Sequence, residues 1–309
     1  MRMADTKAAR GATGPSQECP PEMEKRVAVI TDAVAADFIF PIWQRYYGGL
    51  FGHNNLFVVT YAGLAGRFRD CALGGVIELP VAYDDGIRHA IVSHLVAALL
   101  VTYDTVVRVD ADEFLVVDPR ASASLADFLQ TDEAPYLTAR GFDVIQLTGE
   151  PALAAVPAAP ILSERRFAYP NTALNKTTVV RTPVRWEGGF HCADVYPRFG
   201  PLFLLHMKRI DIGWQLAWFR RMTENISANP KAENYLKDYY APDEVRIRDY
   251  HAGVENRTRL AGIESWYREA FTADFLAHTQ LTPHNGIYQS RFDHEDVLCE
   301  IVPEWKALI

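Results

Sequence analysis

Through its first 120 residues the chain alternates short apolar runs with longer helix-forming stretches, and this limits the fold more than any other feature. The runs "RVAVIT" (26 to 31), "NLFVVTYA" and "GVIELP" are short and almost continuously apolar, so each reads as a buried strand. Between the first two, "DFIFPIWQRYYGGLFG" predicts a helix from Phe40, with Pro41 tolerated in its first turn and Gly48-Gly49 ending it. The stretch "DDGIRHAIVSHLVAALLVTY" predicts a longer helix with Ile87, Ile91, Leu95, Ala98 and Leu99 on its apolar side. "TVVRVDADEF" reads as a fourth strand. This alternation predicts an α/β fold: a Rossmann-like, mostly parallel sheet with helices on both faces, an architecture suited to nucleotides.

After Pro119 the pattern changes. "YLTARGFDVIQL" (136 to 147) reads as a strand leaving the sheet, and "EPALAAVPAAP" (150 to 160) as a Pro/Ala loop. "NKTTVVRTPVRWEGGFHCAD" carries β-branched residues with glycines at a turn. "PLFLLHMKRID" then reads as a buried strand feeding a helix over "GWQLAWFRRMTENI". The expected organisation is a disordered leader over 1–24, one α/β domain over 25–225, and a helical extension over 226–309 packed on the same core.

At 309 residues and 49% hydrophobic content the chain can bury a large core without staples. Its four cysteines (Cys19, Cys71, Cys192, Cys299) are far apart and form no C-x-x-C pair, which predicts reduced thiols and a cytoplasmic protein. A net charge of −8 argues against general nucleic-acid binding, which needs clustered cations against phosphate. The longest apolar run, "AIVSHLVAALLV", is too short to span a membrane and contains His94. Peripheral membrane contact and the oligomeric state stay open.

The chemistry concentrates in "VVRVDADEF" (106 to 114), where a buried strand runs into Asp110, Asp112 and Glu113. Carboxylates crowded at the carboxyl end of a strand repel one another unless a cation joins them, and hard oxygen ligands favour Mg²⁺ or Mn²⁺. An EF-hand loop does not fit, because apolar residues occupy its ligand positions. An aspartyl-phosphate phosphatase, a nucleotide-sugar site and a helix N-cap with an acidic first turn are the remaining readings.

"VVRVDADEFLVVDP" resembles the D-x-D-E-F segment of GT-A-fold glycosyltransferases, in the family-2-like or family-92-like branch. "WEGGFHCAD" and "LLHMKRID" follow in the order found in that group, and the resemblance covers roughly residues 26 to 225. It implies that Asp110 and Asp112 hold Mn²⁺ or Mg²⁺, with His206 completing the metal site and Asp110 also near the donor. It also implies a donor contact from Asp32, while Arg88 on the long helix can reach a donor phosphate or pair with Asp110, and Lys208 with Arg209 makes a cationic cluster suited to the donor diphosphate. Trp186 would stack on the acceptor sugar. Asp194, His191 and Glu187 are the candidate bases. "TDAVAAD" stands where relatives carry an Asn-Glu pair, and "FHCAD" where acidic residues usually follow the glycines.

The function this implies is metal-dependent transfer of a sugar, with inversion, from a nucleoside-diphosphate-sugar donor to the hydroxyl of a glycan or glycoconjugate acceptor. The alternatives are a non-catalytic nucleotide-sugar or glycan-binding module of the same fold, and an Asp-dependent phosphohydrolase.

Overall fold

The computed structural model describes residues 24–154, 160–227, 238–291 and 296–309. Residues 1–23 of the expected leader and 155–159 of the Pro/Ala loop lie outside the described residues.

The first part of the chain builds as the alternation predicts. Strand β1 (Val27–Asp32) is buried along its whole length, which explains its unbroken apolar run. Helix α1 (Phe40–Phe51) starts at Phe40 with Pro41 in its first turn, but it continues through Gly48-Gly49 and ends at Gly52, whose φ is 84°. Gly48 serves packing instead of termination: a Cβ there would lie 2.5 Å from the His53 ring. Strands β2 (Leu56–Tyr61) and β3 (Gly75–Leu79) follow. Next come helix α2 (Asp85–Leu99), capped by the Asp84 carboxylate accepting from the Gly86 N–H at 2.8 Å, and strand β4 (Thr105–Arg108). The four strands pair in parallel in the order β3-β2-β1-β4. The chain reverses direction across the sheet between β1 and β4, and at such a switch point the carboxyl ends of the strands open into a crevice.

"VVRVDADEF" is not one strand. β4 ends at Arg108, Asp110 to Asp112 turn, and β5 (Glu113–Val117) begins a separate antiparallel pairing. The turn is closed by the Glu113 N–H donating to the Asp110 carbonyl at 3.0 Å, and by the Asp110 N–H donating to the Glu113 carboxylate at 2.9 Å.

Helix α3 (Leu125–Thr131), capped by Ser124, leads to β6 (Tyr136–Ile145). β6 does not leave the sheet, because partners occupy both of its edges. On one edge lie β7 (Phe167–Pro170) and β8 (Thr177–Val180), against successive halves of the strand. After the short hairpin β9 (Trp186–Glu187) and β10 (Cys192–Ala193), strand β11 (Phe199–Arg209) takes the other edge and pairs with β5 beyond it. Helix α4 (Ile212–Ser227) follows. The sheet is parallel in its first half and mixed in its second.

The region after 226 packs on the same core, as expected, and holds α5 (Glu244–Val254), α6 (Ala273–Ala277) and α7 (Pro303–Lys306). It is not helical alone. Strand β12 (Thr258–Leu260) joins the main sheet through β15 (Val297–Glu300), while β13 (Gln280–Thr282) and β14 (Ile287–Gln289) form a second sheet with the β9–β10 hairpin. Trp266 and Trp305, both fully buried, pack edge-on or tilted against Phe203 of β11, so this region completes the core. The described cysteines Cys71, Cys192 and Cys299 form no disulfide with one another. Among the described residues no helix is long and apolar enough to cross a membrane.

Candidate functional site

Strand register explains why distant residues meet at the switch point. In the parallel pairing of β1 with β4, Ile30 lies opposite Arg108, so Asp32 and Asp110 leave the sheet side by side. Antiparallel pairing of β4 with β8 matches Val107 to Val179, and continuing that register brings Lys176 opposite Asp110. His206 on β11 is matched to Glu113 on one side and to Asp143 of β6 on the other.

Two linked charge clusters result. In the first, Nη2 of the buried Arg108 donates to Asp32 at 3.0 Å and to Asp110 at 2.5 Å. Arg88, in the first turn of α2, donates to Asp32 at 2.7 Å, and the Tyr61 hydroxyl donates to the same carboxylate oxygen at 3.2 Å. Lys176 donates to Asp110 at 2.8 Å and to Glu113 at 2.6 Å. Burial works against ionisation of Asp110, but Arg108, Lys176 and Arg88 outweigh it and hold its carboxyl well below the usual range. Glu113 moves the other way, pushed up by burial and by the neighbouring Asp110.

The second cluster is centred on His206. Its Nδ1 lies 2.6 Å from Asp143, which also accepts from Asn171 at 2.8 Å, and its Nε2 faces Asp112 at 3.3 Å. Burial disfavours the imidazolium, but Asp112 and Asp143 together push its pKa up to about 10. The Met207 N–H fixes the turn from below by donating to the Asp112 carbonyl at 2.8 Å.

Both clusters open into one crevice of about 920 Å³, including its mouth. Asp32, Arg88, Asp110, Asp112, His206 and Lys208 are among its polar lining residues, and the loop from Ala33 to Phe40 forms one wall. Tyr83, Trp214, Trp218 and Tyr240 add aromatic surface, so the site pairs cations with flat apolar faces.

The metal expected here can be tested against the donor set. Asp110 has both oxygens committed to Arg108 and Lys176. Asp112 and His206 fit better: a metal-binding imidazole orients itself by donating its other nitrogen to a carboxylate, and Asp143 stands where that partner is needed. Among the described residues no three His, Cys, Asp or Glu side chains converge as a complete ligand set.

Other expected site residues lie elsewhere. Trp186 is only 1% exposed, with its indole N–H donating to the Thr177 carbonyl at 3.0 Å, so its ring cannot stack on an acceptor sugar. Arg209 stacks on Tyr250 at 3.8 Å and does not line the crevice. Asp194 accepts from the Arg185 N–H at 2.9 Å and clasps the β9–β10 hairpin, and Glu187 pairs with Arg185 at 3.0 Å and accepts from Asn285 at 2.8 Å. The His191 imidazole Nδ1 sits against the Ala173 carbonyl, in a small separate pocket. Burial, reinforced by Lys176, lowers the His191 pKa to about 3. None of Asp194, Glu187 and His191 lines the crevice.

Sequence reasoning missed Arg108, Lys176, Asp143 and the aromatic walls. Arg108 carried a signal, since a lone arginine within "TVVRV" demands buried partners. Lys176 and Asp143 become visible only through register.

Topology and site together define a Rossmann-like α/β protein with a charged, aromatic-walled crevice at its switch point. No family model and no curated protein matches the chain. Among solved structures, mannose-1-phosphate geranyltransferase from Thermus thermophilus is similar over 70% of this chain and 67% of its own, at 14% identity and a TM-score of 0.29. S. aureus TarS 1-349 is similar over 75% of this chain and 73% of its own, at 13% identity and a TM-score of 0.28.

Proposed function

We propose that the protein is a glycosyltransferase that moves a sugar, with inversion, from a nucleoside-diphosphate donor to a hydroxyl of a glycan or glycoconjugate, as in polysaccharide or glycoconjugate synthesis. The supporting observation is the crevice itself: Asp112 faces His206, with Asp143 on the other ring nitrogen, and Lys208, Arg88 and aromatic side chains share the lining. A nucleoside diphosphate needs cations for its phosphates and flat faces for its base and sugar, and the crevice offers both.

Asp112 and His206 would hold Mn²⁺ or Mg²⁺. When bound, the ion supplies Lewis-acid stabilisation of the departing diphosphate. Lys208 and Arg88 add fixed positive charge where the leaving group becomes more anionic, charge that requires no reorganisation during the reaction. Asp110 holds Arg108 and Lys176 and shapes the floor. No base is assigned to Asp194, His191 or Glu187, since none of them lines the crevice. That same placement favours a second reading, a nucleotide-sugar-binding module without transfer. The phosphohydrolase reading is weaker, because both oxygens of Asp110 are held by cations and neither is free for in-line attack.

Incubation with Mn²⁺ and a panel of nucleotide sugars tests the proposal. Release of nucleoside diphosphate from at least one donor is expected. Binding without release would favour the module, and neither binding nor release would refute both.

A further inference from the structure

The turn after β9 contains three consecutive left-handed residues, Gly188 (φ 55°), Gly189 (φ 64°) and Phe190 (φ 68°). Glycine adopts this region freely, whereas a bulky side chain there is strained by roughly 1–2 kcal/mol. The strain at Phe190 has an identifiable return. Its ring, 1% exposed, lies against the Arg108 guanidinium with Cζ 3.0 Å from the ring centroid, and Arg88 lies 4.9 Å from the same ring. That contact covers a guanidinium with few other partners. Arg108 is 1% exposed, its Nη2 alone holds Asp32 and Asp110, and its Nε and Nη1 have no hydrogen-bond partner among the described residues. A guanidinium buried in this way keeps one orientation only if something fixes its plane, and an aromatic face does so while favouring the charge.

We propose that Phe190 is a positioning residue for the donor site: its π face fixes Arg108, and through Arg108 it sets Asp110 and Asp32, which in turn hold Arg88 at the crevice wall. The inference rests on the glycosyltransferase reading. It moves the "WEGGF" turn from the acceptor side, where the resemblance put it, to the back of the donor crevice.

The test uses the full chain with Mn²⁺, and UDP and GDP as probes, and measures affinity calorimetrically alongside thermal unfolding. Phe190→Leu keeps the site apolar but removes the π face. Replacement of Phe190 by 3,4,5-trifluorophenylalanine keeps the shape and weakens the ring quadrupole. Both should bind the preferred probe more weakly, Phe190→Leu by about tenfold, while remaining folded at the assay temperature. A merely structural turn residue would shift the unfolding temperature and leave the affinity of the folded protein unchanged, and that result would overturn the proposal. Weakening in Phe190→Leu with wild-type affinity in the fluorinated protein would overturn it too, by showing that shape alone matters. If the unaltered protein binds neither these probes nor ADP, CDP or TDP, the glycosyltransferase reading fails first and this inference falls with it.

Discussion

Lys176, immediately before β8, donates to Asp110 at 2.8 Å and to Glu113 at 2.6 Å, tying both ends of the acidic turn to a segment more than sixty residues later in the chain. All three side chains are largely buried, so the lysine's worth is set by what its removal would expose. Replacing one partner of a buried ion cluster leaves an uncompensated charge, which costs about 3–5 kcal/mol. Lys176→Met should therefore lower the urea midpoint by that equivalent, with an unchanged denaturant slope. A loss under about 1 kcal/mol would mean that the cluster behaves as a solvated one.

Trp186 provides a test of the opposite kind. With its indole N–H on the Thr177 carbonyl and its ring enclosed, Trp186→Phe should cost about 1 kcal/mol of stability through the lost hydrogen bond. Steady-state kinetics with any active donor and acceptor should show an unchanged acceptor KM. A rise in acceptor KM at constant stability would restore the stacking role expected from the sequence.

His191 makes stability fall with acid. Its folded pKa is lowered to about 3, against about 6.5 in an unfolded chain. Between those values the unfolded state binds a proton that the folded state does not, so stability is complete above pH 6.5 and declines as pH falls toward 3. From pH 7 to pH 5 this one residue should remove about 2 kcal/mol. Urea unfolding at the two pH values should show that loss, and His191→Gln should show correspondingly less.

The parts that were legible in the sequence are those whose signals are local. β1, β2, β3 and α2 appear near their expected limits, because continuous apolar runs and a capped amphipathic stretch need no distant partner to be recognised. The acidic turn was legible as a charged interruption, but its partners were not. Lys176 and Asp143 reach Asp110 and His206 through pairings of β4 with β8 and of β6 with β11, and nothing in the spacing of residues along the chain encodes those registers. Trp186 was misplaced for a related reason. A tryptophan before a glycine turn looks the same whether its ring meets solvent or the core, and here α2 and β8 enclose it.

The Asp112–His206 pair separates a nucleotide-sugar site from a merely structural ion cluster. Asp112→Asn keeps the shape of the turn, including the Asp112 carbonyl that accepts from Met207, and removes only the carboxylate. Mn²⁺-dependent affinity for nucleoside diphosphate should fall by roughly 100-fold, while a Lys208→Met variant should lose affinity by a similar factor in the presence or absence of the ion. Equal loss for Asp112→Asn with and without Mn²⁺ would place the aspartate outside any metal site.

The most direct measurement is a crystal of the protein soaked with Mn²⁺ and a nucleoside diphosphate, with the ion located by its anomalous signal. The account predicts a single manganese peak between Asp112 and the Nε2 of His206, with the diphosphate facing Lys208 and Arg88 and the base against the aromatic wall of the crevice. A peak away from this pair, or a nucleotide bound outside the crevice, would contradict it.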